Sequence, residues 1–317
     1  MKTLILKIIR KLIGNPLVLD SMHLKFLLGQ NAILASSAIR SDFKDLWDAE
    51  VKVFSQWGED GILNYLLDLL DISKPRILEI GVGDFSECNS RFSIVYRGAS
   101  AVLVDFHSGL LDGIEKSNLR WKSHIFGINK KISLDNCNEI FTEANRLIGQ
   151  IDVLSLDIDS IDYWILKNFD SLDSLQIIIV EYNSLFGSKE PITVPYHENF
   201  DRFKMNFSGQ YYGASIQAWI NLLDKRGFSL IGTNRICNNA FFIRKEKLSC
   251  FKNIRIPNRN ELEKFVDWRC RDARNSLGDL IYASGDERLS LIKNELVQNT
   301  ITGEVKSLGD ARRGDRI

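Results

Sequence analysis

The 317-residue sequence is short of features that would assign it quickly. Its five cysteines (Cys88, Cys137, Cys237, Cys250, Cys270) are scattered, odd in number and never spaced C-x-x-C. That excludes a disulfide framework or a cysteine-built zinc site, and suits a reducing cytoplasm. Net charge is missing too. Lys plus Arg and Asp plus Glu stand at 41 each, so the whole chain presents no field for nucleic acid, and it carries no nucleic-acid recognition module. No apolar run approaches the roughly 18–20 residues that span a bilayer. The start is basic without a small-residue cleavage pattern, so export is not expected. Internal repeats and a triad-like constellation are absent, and histidines number four.

What is present is ordinary globular material, 44% hydrophobic and 26% charged, enough for a buried core. At the start, Leu4, Ile5, Leu6, Ile8, Ile9, Leu12 and Ile13 surround a stripe of Thr3, Lys7, Arg10 and Lys11. Residues 2–13 therefore read as a helix with a wide apolar face and a basic edge. Such a helix either lies in an anionic membrane interface, at the inner face of the cell membrane, or packs on the domain or a partner copy. Residues 1–50 read as an N-terminal helical extension.

From Phe54 the pattern sharpens. Ser55–Gly61 opens a helix with Ile62, Leu63, Leu66, Leu67, Leu69 and Leu70 at helical spacing. Strands follow at Arg76–Ile80, Ala101–Val104, Ile151–Leu156 and Gln176–Val180, separated by helices at Asp135–Leu147 and Asp162–Phe169. After a helix at Ser215–Lys225, strands Phe228–Gly232 and Asn239–Ile243 are joined too closely for a crossover helix, which leaves an antiparallel hairpin. Strands alternating with helices imply an α/β domain, over residues 51–247, with a mostly parallel sheet covered on both faces. Five parallel strands followed by a terminal hairpin describe a class I methyltransferase (Rossmann-like) sheet. Residues 248–299 read as one or two charged helices, and residues 300–317 as a disordered polar tail.

The chemistry concentrates at strand ends. Ile77-Leu78-Glu79-Ile80-Gly81-Val82-Gly83-Asp84-Phe85 sets two glycines where a strand turns into the next element. Glycine there permits positive φ and close approach of a ligand, at the edge where open α/β sheets bind ligands. Asp105 ends the next strand and can accept hydrogen bonds from both hydroxyls of a ribose. The third glycine of a dinucleotide fingerprint is replaced by Phe85, which turns the reading from NAD toward S-adenosylmethionine (SAM). Glu79 can meet the amino-acid end of SAM. Gln56, Glu59 and Asp60, on a helix folding across the cofactor, either hold that same end or cap the helix.

The blocks SQWGEDG, ILEIGVGDFSECNS, LSLDIDSIDYWI, IIIVEYNS, TVPYHENF, YYGASIQAW and NNAFFIR, in this order from about Phe54 to Arg244, resemble the FkbM-type SAM-dependent methyltransferases of bacterial surface-polysaccharide clusters. The resemblance implies SAM as donor and O-methylation of a hydroxyl on a glycan or sugar-containing acceptor. It departs from the family pattern DIDGxDYW at Ser160 and Ile161. If that glycine adopts positive φ, serine there is strained.

Asp157 and Asp159 alternate on a strand end, so their carboxylates share one side, and Glu181 and Asn183 follow suit on the neighbouring strand. Three readings stand: a divalent site for Mg²⁺ built from Asp157, Asp159 and Glu181; a carboxylate general base; or helix-capping acids, as Asp162 suggests. Asp157-x-Asp159 also admits a metal-dependent glycosyltransferase, and the loss of the family glycine admits a catalytically silent partner protein. His197, in a loop that falls over the acceptor, is a further candidate base, although the resemblance implies an acid at its place. Tyr211 and Tyr212 offer rings for stacking on a sugar or for packing, and Trp164 reads as core. The oligomeric state is not encoded in any pattern.

Overall fold

The computed structural model describes residues 21–266, 269 and 271–313; the basic helix expected at residues 2–13 lies outside them. A seven-stranded sheet organises the chain. Its strands are β1 (Arg76–Ile80), β2 (Ser100–Asp105), β3 (Ile125–Asn129), β4 (Val153–Leu156), β5 (Ile177–Glu181), β7 (Phe228–Thr233) and β8 (Asn239–Arg244), β6 being a two-residue strand outside it at Ile192–Thr193. They run in the order β3-β2-β1-β4-β5-β8-β7. The first five are mutually parallel, and β8 inserts antiparallel between β5 and β7. This is the class I methyltransferase sheet, as the alternation of elements predicts. β3 is the strand that sequence periodicity passes over.

Both faces of the sheet are buried, and alternate residues of one strand serve different cores. Leu78, Ile80, Val102, Val104, Leu154, Leu156, Ile178 and Val180 face one cluster. Ile77, Ala101, Leu103, Val153, Ile177 and Ile179 face the other. Helices α5 (Cys137–Ile148), α6 (Asp162–Asn168) and α8 (Ile216–Lys225) cover the first with Ile140, Ile165, Leu166, Trp219 and Leu223. Helices α2 (Glu59–Leu69), α3 (Arg91–Arg97) and α4 (Leu110–Lys116) cover the second with Ile62, Leu66, Ile94 and Ile114. That double burial is why the central strands read as continuous apolar runs.

An 18-residue helix, α1 (Ser21–Ala38), packs Phe26 and Ile33 against Val53, Phe54 and Phe92. No helix among the described residues is long and apolar enough to cross a membrane.

The C-terminal quarter corrects two expectations. Residues 248–299 are not simply helical. Among the described residues they hold a 3-10 helix (Arg259–Phe265), a hairpin of β9 (Arg271–Arg274) and β10 (Leu280–Ala283), the α-helix α9 (Gly285–Ile292) and strand β11 (Leu296–Asn299). The polar tail, expected to be disordered, folds as far as it is described. β12 (Val305–Ser307) pairs with β11, and β11 pairs with β6 of the central domain. Leu308 is fully buried in α10 (Leu308–Ala311) and Arg312 donates to the carbonyl of Leu185 at 2.9 Å. A few apolar anchors, Val297, Leu308 and Ala311, suffice to dock a segment whose average composition is polar.

Candidate active site

Register decides what meets at the sheet edge. Ile80 lies level with Val104 and with Leu156, and Leu156 lies level with Val180. The next residue of each parallel strand therefore comes out in one row: Asp105, Gly81, Asp157, Glu181. The row opens into a cavity of about 1120 Å³ at the carboxyl end of the sheet. The order of strands reverses at β1, so this is the topological switch point, where open α/β sheets take their ligands.

At one end of the row, Gly81 turns at φ +94°, and a β-carbon on it would lie 1.5 Å from the carbonyl oxygen of Asp157. Glycine is required because the ends of β1 and β4 approach so closely. Gly83 turns at φ +57° with open space where its β-carbon would be. Its amide donates to Asp105 Oδ2 at 2.7 Å, and the amide of His107 donates to Oδ1 at 2.7 Å. The two bonds orient the Asp105 carboxylate, and each oxygen keeps a lone pair for a hydroxyl. Phe85, in the place of a third glycine, is itself left-handed at φ +69°.

Gly81, Gly83 and Asp105 thus converge, with Gln56 exposed on the same cavity wall. Glu79 also lines the cavity, but its two oxygens accept the amides of Asn89 and Ser90 at 2.7 and 2.8 Å. It anchors the entry to α3, and burial pushes its carboxyl up.

Glu59 and Asp60 do not belong to the cavity wall. Glu59 is fully buried and accepts from the side chains of Asn234 and Asn239, joining α2 to the β7–β8 turn. Asp60 Oδ2 accepts the amides of Val53, Phe54 and Ser55 and the hydroxyl of Ser55, within 2.7–2.8 Å. The contacts these acids make serve the fold: they hold the preceding loop and fix the helix, with Asp60 Oδ1 left buried and unpartnered.

Burial still outweighs the four bonds at Asp60 and raises its carboxyl from 3.8 to about 6. With the folded value raised, its contribution to stability is complete below the unfolded value and is lost as pH climbs through about 6, an effect of about 3 kcal/mol. Asp60→Asn should flatten that part of the stability–pH curve, read by urea unfolding from about pH 4 to about pH 7.5, and leave affinity for the cofactor product unchanged. A folded D60N variant with weakened cofactor binding would return Asp60 to the site.

At the other end of the row, Asp157, Asp159 and Glu181 bring carboxylate oxygens within 4.8 Å of one another. Burial holds Asp157 and Glu181 well above the ordinary carboxylate range, and the neighbouring negative charges push them further. Asp159 is raised by burial, against which the Arg202 guanidinium works by direct pairing. Tyr212 donates to Glu181 Oε1 at 3.2 Å, while Glu181 Oε2 is buried without a hydrogen-bond partner. Asn183 is occupied elsewhere, donating to the carbonyls of Gln210 and Tyr212.

The loop between β4 and α6 is closed by Asp162, which accepts the amides of Ile158 and Ser160 at 2.8 and 3.0 Å and is raised by burial to about 6. The left-handed residue in this loop is Asp159, at φ +53°, and not Ser160. Serine at 160, where the family that the sequence resembles has glycine, therefore brings none of the strain expected of it. His197 is exposed in the loop after β6 and lies outside the cavity lining. The tyrosine pair splits: Tyr212 faces the cavity, whereas Tyr211 is buried and donates to the carbonyl of Leu296. Trp164 donates to the carbonyl of Val194 and is packing.

The structure adds residues that motif reading misses. Phe106, Lys130, Lys131 and Ile132, which follow the ends of β2 and β3, line the cavity, as do Arg202, Lys204, Gln210, Arg271 and Arg274. The only sequence signal for the first group is position, since each closely follows a strand end.

No protein-family model matches the chain, and no curated protein matches it. Among solved structures, the pyocyanin biosynthetic protein PhzM matches at 12% identity and TM-score 0.35, over 58% of this chain and 56% of PhzM. The N-terminal domain of EvdMO1, crystallised with SAH and D-fucose, matches at 10% identity and TM-score 0.37, over 58% and 80%. A SAM-dependent methyltransferase from Mesorhizobium loti matches at 10% identity and TM-score 0.34, over 57% and 96%. The fold assignment rests on the strand order of this chain itself.

Proposed function

We propose that the chain is a SAM-dependent O-methyltransferase acting on a sugar hydroxyl of a surface polysaccharide or its precursor. One observation carries this reading. The Gly81–Gly83 turn is tied to Asp105 at 2.7 Å at the switch point, and it shares one cavity with a group of carboxylates at the ends of the next two strands, β4 and β5. The first end suits a ribose and a methionine chain; the second suits a hydroxyl that must lose a proton. The sugar acceptor is supported by the ordered motif resemblance.

Methyl transfer is an in-line displacement: the acceptor oxygen bonds to the methyl carbon as the carbon–sulfur bond breaks, leaving S-adenosylhomocysteine (SAH). Positioning supplies most of the acceleration, so no triad is required. The hydroxyl proton goes to a carboxylate of the acidic group, of which Glu181 is buried and raised above the ordinary carboxylate range. Calorimetry should detect one SAH per chain. A folded protein that binds no SAH would end the methyltransferase reading, and binding of a UDP-sugar in its place would favour a glycosyltransferase.

A divalent cation at Asp157, Asp159 and Glu181 is favoured by a specific observation: three carboxylates bring oxygens within 4.8 Å of one another, and Glu181 Oε2 is buried beside the other acids of the group. Three hard oxygen donors suit Mg²⁺. Bound there, the cation would lower the proton affinity of a hydroxyl beside it.

A further inference from the structure

The cavity has two electrical poles. Its floor, at the ends of β4 and β5, carries Asp157, Asp159 and Glu181. The same lining also carries a basic wall, Arg202 and Lys204 of α7 (Arg202–Met205) together with Arg271 and Arg274 of the β9–β10 hairpin, and Arg202 meets the floor by pairing with Asp159. The whole chain is neutral, so this basic wall is a local concentration and not a reflection of composition.

The hairpin is tied to Ser208 and Gln210 of the same cavity lining. Gln210 Nε2 donates to the carbonyl of Asp272 at 3.1 Å, and the amide of Arg274 donates to the carbonyl of Ser208 at 3.3 Å. The Arg271 guanidinium lies 5.7 Å from the ring centre of Trp57, and that of Arg274 lies 5.4 Å from Phe203. Aromatic faces orient a guanidinium without neutralising its charge.

Acids near this wall are partly spoken for. Asp159 pairs with Arg202, and Asp201 caps α7 by accepting the amides of Phe203 and Lys204, with Lys204 Nζ 3.7 Å away. Asp272 sits between the two hairpin arginines and is exposed. Arg271 also reaches the floor electrostatically, working against the upward shifts of Asp159 and Tyr212. The basic wall and the acidic floor therefore line one cavity and act on each other electrostatically.

Taking the O-methyltransferase reading as its starting point, we infer that the acceptor sugar carries a phosphoryl group, held by Arg271 and Arg274 with Lys204 while its hydroxyl faces Asp157, Asp159 and Glu181. A neutral sugar would bring no charge to complement a basic wall. A lone carboxylate would saturate one guanidinium, whereas a phosphate or diphosphate offers enough oxygens and charge to reach an ammonium and two guanidiniums beside the bonds they already make, such as that from Arg274 to the carbonyl of Gly278 at 2.9 Å. Activated sugars bear this chemistry whether joined to a nucleotide or to a lipid. Methylation would accordingly precede transfer of the sugar to the growing chain, and the class of reaction that consumes the product is glycosyl transfer with loss of the phosphoryl carrier.

The test is calorimetric, on the full chain saturated with SAH. Pyrophosphate should bind wild-type protein, and Arg271→Ala/Arg274→Ala should weaken it by about tenfold or more, with SAH affinity unchanged. Arg271→Lys/Arg274→Lys should recover part of the loss, because charge returns without the fork. UDP binding tighter than pyrophosphate would mark a nucleotide-linked acceptor, and farnesyl diphosphate binding tighter would mark a lipid-linked one; either supports the phosphoryl class. The inference is overturned if SAH binds but pyrophosphate does not, if glucuronate binds as tightly as pyrophosphate, if UDP displaces SAH, or if the folded alanine variant binds pyrophosphate normally. The wild-type comparison of pyrophosphate with glucuronate stands even where a variant fails to fold. Failure of SAH itself to bind is a separate result and strikes the methyltransferase reading alone.

Discussion

Gly81→Ala should abolish SAH binding and destabilise the chain by several kcal/mol, whereas Gly83→Ala should abolish binding in a protein that still folds. At Gly81 the added β-carbon would meet the carbonyl oxygen of Asp157 at 1.5 Å. A contact that short cannot be absorbed by a side-chain rotation, because the opposing atom is backbone. The end of β4 must move, and the bond from the Asp157 amide to the carbonyl of Ile80, 2.9 Å, moves with it. Overpacking of about 1–3 kcal/mol adds to about 1–2 kcal/mol for a left-handed alanine. At Gly83 only the second cost applies, since nothing lies within 4 Å of the new methyl. That methyl instead projects into open space from a turn that lines the cavity assigned to the cofactor. Urea unfolding separates the two variants by stability, and calorimetry with SAH measures the shared loss. A G83A protein that binds SAH like wild type would place the cofactor elsewhere.

The same pair of glycines shows what a sequence can and cannot disclose. A turn that demands positive φ at the end of an apolar run leaves a mark in the alphabet, because one residue type fills it. Asp105 is equally visible, since the parallel register that sets it beside Gly83 follows from strand lengths and alternation. β3 is not. It is only half-buried, it carries Gly127 in its middle, and its His124-to-Asn129 stretch shows neither alternation nor a continuous apolar run. Missing it hides Lys130 and Lys131 at its end. Glu59 and Asp60 mislead for the opposite reason. Acids before the first strand look like ligand groups, and nothing local reveals that one is claimed by Asn234 and Asn239, the nearer of them 175 residues away, and the other by its own loop amides. His197 stands out by residue type alone, and its exposure decides against it. The hairpin arginines are the least legible, because a polar segment with few apolar residues gives no hint of where it will dock.

The second large effect is expected at Glu181. Glu181→Gln preserves volume and the carbonyl oxygen that Tyr212 can address, so the fold should survive. What changes is charge: the site goes from three clustered carboxylates, faced by Arg202 and at longer range by Arg271, to two. Taking away a buried carboxylate whose Oε2 has no partner relieves both its desolvation and its repulsion with Asp157, so the variant should be more resistant to urea at neutral pH in the absence of divalent ions. Methyl transfer should fall by about 10²–10⁴-fold, the range associated with loss of a positioned proton acceptor. Manganese, whose binding can be followed by its electron spin resonance, distinguishes the two chemistries that this loss alone would not. Loss of residues that merely support a metal ligand costs about 10–100-fold in affinity, so loss of a ligand should cost more than about a hundredfold. Tight manganese binding to wild type that collapses in E181Q identifies the group as a cation site. Activity that collapses while manganese never binds either protein identifies it as the base. Were stability, activity and manganese all indifferent to the substitution, the carboxylates would be scaffolding for the β4–α6 loop, as Asp162 already is through the amides of Ile158 and Ser160, and the acceptor's proton would have to leave by another route.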